Sequence, residues 1–262
     1  LATEHEQFDL AAQLYPLYVQ RTNQGALEYA RFLSLHGDPT KAIELLKQLF
    51  PKQMDDVLQI CAEMLRTRRQ DLGDKFDADV DAMMASALRD DPESVRRMLL
   101  EAEILETQAK YEESVAKYDN VLKRDDVPRM MSAAAKNNLG FLLTLLNQRT
   151  DEAEQLINEA LEVYGPVDDI LDTRAVVRMA RKDYDAAVED MSLATSLSND
   201  PIKFYHFAKA NLLAGNDQAA LKAWEKAQKL GFTKEKLPVL ERPDYDQVKG
   251  NIEGLRTQNA KL

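Results

Sequence analysis

The sequence predicts an all-α protein: a right-handed α-α superhelix of about six helix pairs, closed by one further C-terminal helix. Three observations carry this. First, one motif is written repeatedly: "ARKDYDAAVEDMSLATSLSNDP" at 180–201 reads as a turn, an amphipathic run and a proline stop. "LAGNDQAALKAWEKAQKLG" at 213–231 and "SLHGDPTKAIELLKQLFP" at 34–51 restate it. Second, the motif is periodic. Aligned on the small residues Ala42, Ser114, Ala153, Ala187 and Ala220, the spacings are 72, 39, 34 and 33. The first is close to two units, so a degenerate unit is expected between residues 52 and 92. Third, several units close on an Asp-Pro or Pro element that stops the helix and sets the turn to the next. One helix pair cannot bury its apolar face alone, and stacking buries it against the neighbours.

The expected order is a partial half-repeat at 1–22, an array over 23–231 and a capping segment at 232–262. The array divides at about 23–51, 52–92, 93–128, 129–166, 167–201 and 202–231. The first helix of a unit carries a small residue where its partner crosses closely: Ala30, Ala102, Gly140, Ala175 and Ala208. A short turn follows, and Gly37 and Gly215 are expected to take the left-handed conformation that ends a helix. The second helix shows an apolar stripe, as in Ala42, Leu46 and Leu49, in Ala187, Met191 and Ala194, and in Ala220, Trp224 and Ala227. Proline elements at 89–92, 124–128 and 198–201 stop it. Residues 243–259 read as a polar-faced closing helix begun by Pro243.

These blocks resemble the tetratricopeptide repeat (TPR) family over roughly residues 23–231, most clearly in "NNLGFLLTLL", "LDTRAVVRMARKDYDAAVEDMSLA" and "FYHFAKANLLAGNDQAALKAWEKA". The tail "LGFTKEKLPVLERPDYDQV" is similar to the end of the array in large bacterial multi-repeat proteins. The chain departs from the pattern at the first-helix Trp position, which holds Ala26, Met98, Lys136, Leu171 and Phe204. One extra residue also separates Gly140 from Ala153.

Composition excludes several functions. Formal net charge is −11, which repels phosphate backbones, so no nucleic-acid partner is expected. No apolar run reaches the roughly 18 residues of a membrane span, the best being "LGFLLTLL" at 139–146. The start, "LATEHEQFDL", has neither the basic region nor the apolar core of a signal peptide, and it lacks Met, as an excised or processed fragment would. Cys61 is the only cysteine, which rules out an intrachain disulfide, fits a reducing compartment such as the cytoplasm, and reads as a small buried residue.

No catalytic motif is written around His5, His36 or His206, so no enzyme and no cofactor is expected. Asp77, Asp79 and Asp81 have the opening spacing of a calcium loop, but Ala82 and Leu88 stand where Gly and Glu are needed, so no metal is expected. "LRTRRQ" at 65–70 is placed at a helix C-terminus.

What remains is a surface. In a stacked superhelix the first helices line the concave face. The resemblance and the helical period place Arg31, Glu103, Asn137, Phe141, Asp172, Tyr205 and Lys209 there, with Leu27, Leu99 and Val176 beside them. The expected function is a non-catalytic scaffold that binds a peptide or helix of a partner protein in that groove, with aromatics as anchors and charges setting register. The alternative is a regulatory or substrate-docking segment of a larger enzyme. Some TPR proteins grip a C-terminal carboxylate of chaperones with Lys and Asn. Asp172 and Phe141 stand where a cation and an Asn are needed, so that ligand is not expected.

Overall fold

The computed structural model describes residues 10, 14, 15 and 23–259. Among them are thirteen α-helices and no strand. The half-repeat expected at 1–22 lies outside the described residues, apart from Leu10, Leu14 and Tyr15. The chain divides into two compact units, residues 1–117 and 118–262.

The first unit holds α1 (Asn23–His36), α2 (Pro39–Leu49), α3 (Met54–Thr67), α4 (Asp74–Asp90), α5 (Val95–Thr107) and the first half of α6 (Tyr111–Leu122). Its core runs through Ala30, Ala42, Leu46, Leu58, Ile60 and Cys61, all fully buried. Burial, helped by the nearby Asp79 charge, pushes the Cys61 thiol up to about 12, so it packs as an apolar group. The degenerate stretch forms α3 and α4, joined by a long linker with one 3₁₀ turn at Arg69–Asp71.

Gly37 is not left-handed, contrary to expectation. It is absent from the positive-φ residues, and a β-carbon there would stand 2.7 Å from Leu33 Cδ2. Close approach, not backbone handedness, selects glycine at this position. The end of α1 is capped by another repeat: Arg68 Nη1 donates to the Gly37 carbonyl at 2.8 Å and to the Ser34 and Leu33 carbonyls at 3.4 Å. The next helix is capped locally, with Asp38 accepting from the Thr40 and Lys41 amides and Pro39 at its start.

The second unit holds the rest of α6, then α7 (Arg129–Leu145), α8 (Thr150–Tyr164), α9 (Asp168–Ala180), α10 (Tyr184–Leu197), α11 (Pro201–Leu213), α12 (Asp217–Lys229) and the closing helix α13 (Arg242–Asn259). The small residues mark the crossings in both units. Ala30, Ala102, Ala175 and Ala208 on first helices are fully buried, as are Ala42, Ser114, Ala153, Ala187 and Ala220 on second helices. In the α5–α6 pair the two small residues touch, with Ser114 Oγ donating to the Ala102 carbonyl at 2.8 Å. At α7–α8 a β-carbon on Gly140 would stand 2.6 Å from Ile157 Cδ1 and 3.1 Å from the Ala153 carbonyl oxygen.

One backbone device ends five helices. The amides of Lys110, Gln148, Asp183, Asn216 and Phe232 donate back to the carbonyls of Leu105, Leu143, Arg178, Asn211 and Ala227, at 2.8 to 3.0 Å. The left-handed residue in each is Ala109, Asn147, Lys182, Gly215 or Gly231. Gly215 takes the expected conformation at φ 76°, while Ala109 and Lys182 take it without glycine's freedom. The extra residue between Gly140 and Ala153 is absorbed in this turn. Arg149, itself left-handed at φ 45°, stands between the end of the turn and the start of α8.

The C-terminal core is aromatic. Tyr205, Trp224 and Phe232 are buried around Tyr245 of α13, with Tyr205 and Phe232 stacked at 4.8 Å between ring centroids. Ile252 and Val248 of α13 complete it, so the closing helix turns its apolar stripe inward and its polar face to solvent.

Candidate functional site: the face of the first helices

Opposite charges one repeat apart join first helix to first helix. In the first unit Arg31 of α1 meets Glu63 of α3, and Arg66 of α3 meets Glu103 of α5, each at 3.8 Å. Burial raises the Glu103 carboxyl, with Arg66 opposing. It also lifts Glu106, one turn along, to about 7, with Arg66 pulling down and the Glu103 charge pushing up. Arg31 and Glu103 of the expected groove are therefore each already paired, one repeat away.

In the second unit α11 carries a row of cations at Lys203, His206 and Lys209. Buried Lys203 donates to Asp168 at 2.5 Å and to Asp169 at 2.6 Å, both in the first turn of α9. His206 is buried between Asp172 of α9, at 2.8 Å from Nδ1, and Glu241, at 3.0 Å from Nε2. Burial alone depresses an imidazole, but the two carboxylates outweigh it and raise His206 to about 10, so the ring is an imidazolium at neutral pH. Lys209 donates to Asp244 of α13 at 2.6 Å.

This geometry corrects part of the expected groove. Tyr205 is fully buried and belongs to the aromatic core, because α11 turns that face toward α12 and α13 rather than toward solvent. Val176 and Leu27 are buried for the same kind of reason. Asp172 and Lys209 are spent as rungs that join neighbouring elements, to His206 and to Asp244.

Asn137 and Phe141 of α7 remain. Asn137 donates through Nδ2 to Asn138 Oδ1 at 3.3 Å, while its own Oδ1 is buried with no hydrogen-bond partner. Phe141, one turn on, is half-buried against the α9 cluster that contains Ala175 and Val176.

The other candidates are spent on structure. Asp77 pairs with Arg69, Asp79 with Lys47 and Asp81 with Lys110, so the three carboxylates of the calcium-like run point to three different cations. "LRTRRQ" is likewise consumed, by Glu103, by Asp71 with the α1 carbonyls, and by Asp77. Asp190, buried in the α9–α10 pair, takes two bonds from Arg174 and one from Arg178. A cleft of about 400 Å³ opens beside the start of α3, where Arg97 ties Asp55 to Asp90. Among the described residues no cluster of three His, Cys, Asp or Glu is placed to hold a metal ion, and no helix is long and apolar enough to cross a membrane.

Sequence reading missed Lys203, His206, Glu241 and Glu106. For the first three a signal existed: Asp168 to Lys203, Asp172 to His206, His206 to Glu241 and Lys209 to Asp244 are each 34 or 35 residues apart, one repeat, with opposite sign.

No protein-family model matches the sequence, and no curated protein matches it. Solved structures do. A tetratricopeptide repeat protein from Parabacteroides merdae is 19% identical, with a TM-score of 0.56 over 91% of each chain. PilW, a type IV pilus biogenesis factor, is 19% identical, with a TM-score of 0.55 over 79% of this chain and 92% of its own. A chain of the Cut9–Hcn1 hetero-tetramer is 10% identical, with a TM-score of 0.64 over 97% of this chain and 46% of its own. At these identities the likeness shows the fold, which is TPR-like: an all-α stack of helix pairs.

Proposed function

We propose that the chain is a non-catalytic protein-interaction scaffold, and that α7 and α9 of the second unit hold an extended or helical segment of a partner protein. The observation that carries this reading is the orphaned Asn137 Oδ1 beside half-buried Phe141. A buried carbonyl oxygen without a donor is unfavourable by about 1–3 kcal/mol, and rotation of the Asn137 amide outward would let a partner's backbone N–H satisfy it. Phe141 would supply apolar area alongside. The charge rungs bear on the chemistry. Since Asp172 and Lys209 are already neutralised, recognition rests on hydrogen bonding and apolar contact rather than on long-range attraction. The Cut9–Hcn1 neighbour supports the reading at the level of the fold, being a chain of this architecture in an assembly with another protein.

The test is selection of a displayed library of random peptides on the full chain, with counter-selection on an Asn137→Ala, Phe141→Ala double variant checked by circular dichroism. Peptides that bind the first and not the second are expected. Peptides retained equally by both, or an empty selection, overturn this placement.

A further inference from the structure

Glu106 is a carboxylate that the ladder of charge rungs leaves over. It follows Leu99 and Glu103 on one stripe of α5, at i, i+4 and i+7, and all three are half-buried. Among the described residues it makes no ion pair and no side-chain hydrogen bond, and the charged groups that act on it are Arg66 of α3 and Glu103. Arg66 itself pairs with Glu103, at 3.8 Å. Arg31 answers Glu63, and Lys203 answers Asp168 and Asp169. The positions 34 and 35 residues on from Glu106 hold Gly140 and Phe141, which carry no charge. Burial is the largest influence on this carboxyl, so its ionised form is short of water as well as of a partner. Its oxygens are still reachable, unlike the sealed and orphaned Asn137 Oδ1 and Glu241 Oε2.

A desolvated carboxylate open on one side is relieved by a cation brought from outside. The chemistry narrows which cation. A pair of carboxylates falls short of the about six to eight oxygens that calcium takes. Among the described residues no third His, Cys, Asp or Glu joins them to hold a metal ion. An ammonium is strongly hydrated and gives up its water reluctantly. A guanidinium is weakly hydrated, charged at every physiological pH, and carries its donors in a planar fork that fits a carboxylate. We propose that Glu106 is the receptor for an arginine side chain of a partner protein, with Glu103 adding its field and Leu99 supplying apolar area further along the stripe. The contact belongs to the first unit and is independent of the α7–α9 placement above. Because the guanidinium binds the ionised carboxyl, binding expels the proton that Glu106 holds, and affinity rises as pH climbs through about 7.

Isotope-edited NMR of the full chain, labelled at the glutamate carboxyl carbons, tests it. The Glu106 signal is identified by its loss in Glu106→Gln. The probe is Nα-acetyl-arginine amide at about 50 mM, against the citrulline analogue, its neutral isostere, at matched ionic strength. With the arginine probe the Glu106 midpoint is expected to fall by about half a pH unit, the linkage expected for a Kd of about 20 mM. With the citrulline probe it is expected to stay in place. Exposed Glu189, which has no ion-pair partner among the described residues, is expected to stay in place with both. A Glu106 midpoint unmoved by the arginine probe overturns the proposal. Equal movement with the two probes overturns it too, and so does equal movement of Glu106 and Glu189, which is a general ionic effect.

Discussion

His206 Nε2 stands 3.0 Å from Glu241 Oε1, and both residues are buried. This contact pins the turn that leads into α13 to the last first helix of the array, with Asp172 on the far side of the ring. A histidine whose folded pKa is about 10, against about 6.5 when unfolded, contributes stability that is fully present below pH of about 6.5. That contribution is lost as pH rises through about 10. The melting temperature of the wild type should therefore fall between neutral and alkaline pH more steeply than that of His206→Gln. At pH of about 6 the variant should be less stable by about 3 kcal/mol, because buried Glu241 and half-buried Asp172 lose their cation. Parallel melting curves for the two proteins across that range would contradict the assignment.

The apolar skeleton was legible in the sequence because it depends on residue size and period. Ala30 with Ala42, Ala175 with Ala187 and Ala208 with Ala220 stand where the spacing puts them, fully buried. Turn handedness was less legible. Ala109 and Lys182 adopt the left-handed region for the sake of two backbone hydrogen bonds, whereas Gly37 is a glycine for want of space. The face was legible only in part. Period alone says which helix side Tyr205 occupies but not what covers it, and Phe232 and Tyr245 arrive from beyond the last regular repeat. Arg68 shows the same limit, since the helix end it caps is α1, not its own.

Glu106 sets a second pH dependence, of opposite sign. Its carboxyl stands at about 7 in the fold, above the unfolded value of about 4.3. Between those values the folded state binds more protons, so this residue lowers stability as pH rises. Glu106→Gln should raise the urea midpoint at pH of about 8 by an amount equivalent to roughly 1 kcal/mol, and the gain should vanish near pH of about 4. A gain that does not change with pH would mean that repacking, not ionisation, is responsible.

The left-handed turns offer a stabilising change. Lys182 holds φ 66° and Ala109 φ 62°, a conformation disfavoured by roughly 1–2 kcal/mol for a residue with a β-carbon. Lys182→Gly and Ala109→Gly should each raise stability by about 0.5–1 kcal/mol, less than the full penalty because glycine also loosens the unfolded chain. Gly215→Ala, at φ 76°, should lower it by a similar amount. Thermal melts of the three variants decide this, and two destabilised glycine variants would mean that the side chains, not the backbone, hold those turns.

Gly140 and Gly254 separate packing from propensity within the second unit. Both lie inside helices, where Gly→Ala alone gains about 1 kcal/mol. At Gly254 nothing lies within 4 Å of a new β-carbon, so Gly254→Ala should show that gain. At Gly140 the same atom meets Ile157 Cδ1 at 2.6 Å and the Ala153 carbonyl oxygen at 3.1 Å. The side chain can turn aside but the carbonyl moves only with its helix, and overpacking of this kind is unfavourable by about 1–3 kcal/mol. Gly140→Ala should therefore be neutral to destabilising by about 2 kcal/mol, despite the better helix former. The comparison is made by urea unfolding of both variants beside the wild type. Equal stabilisation at the two sites would mean that α7 and α8 do not cross at Gly140, and the register of the helix pairs would have to be redrawn.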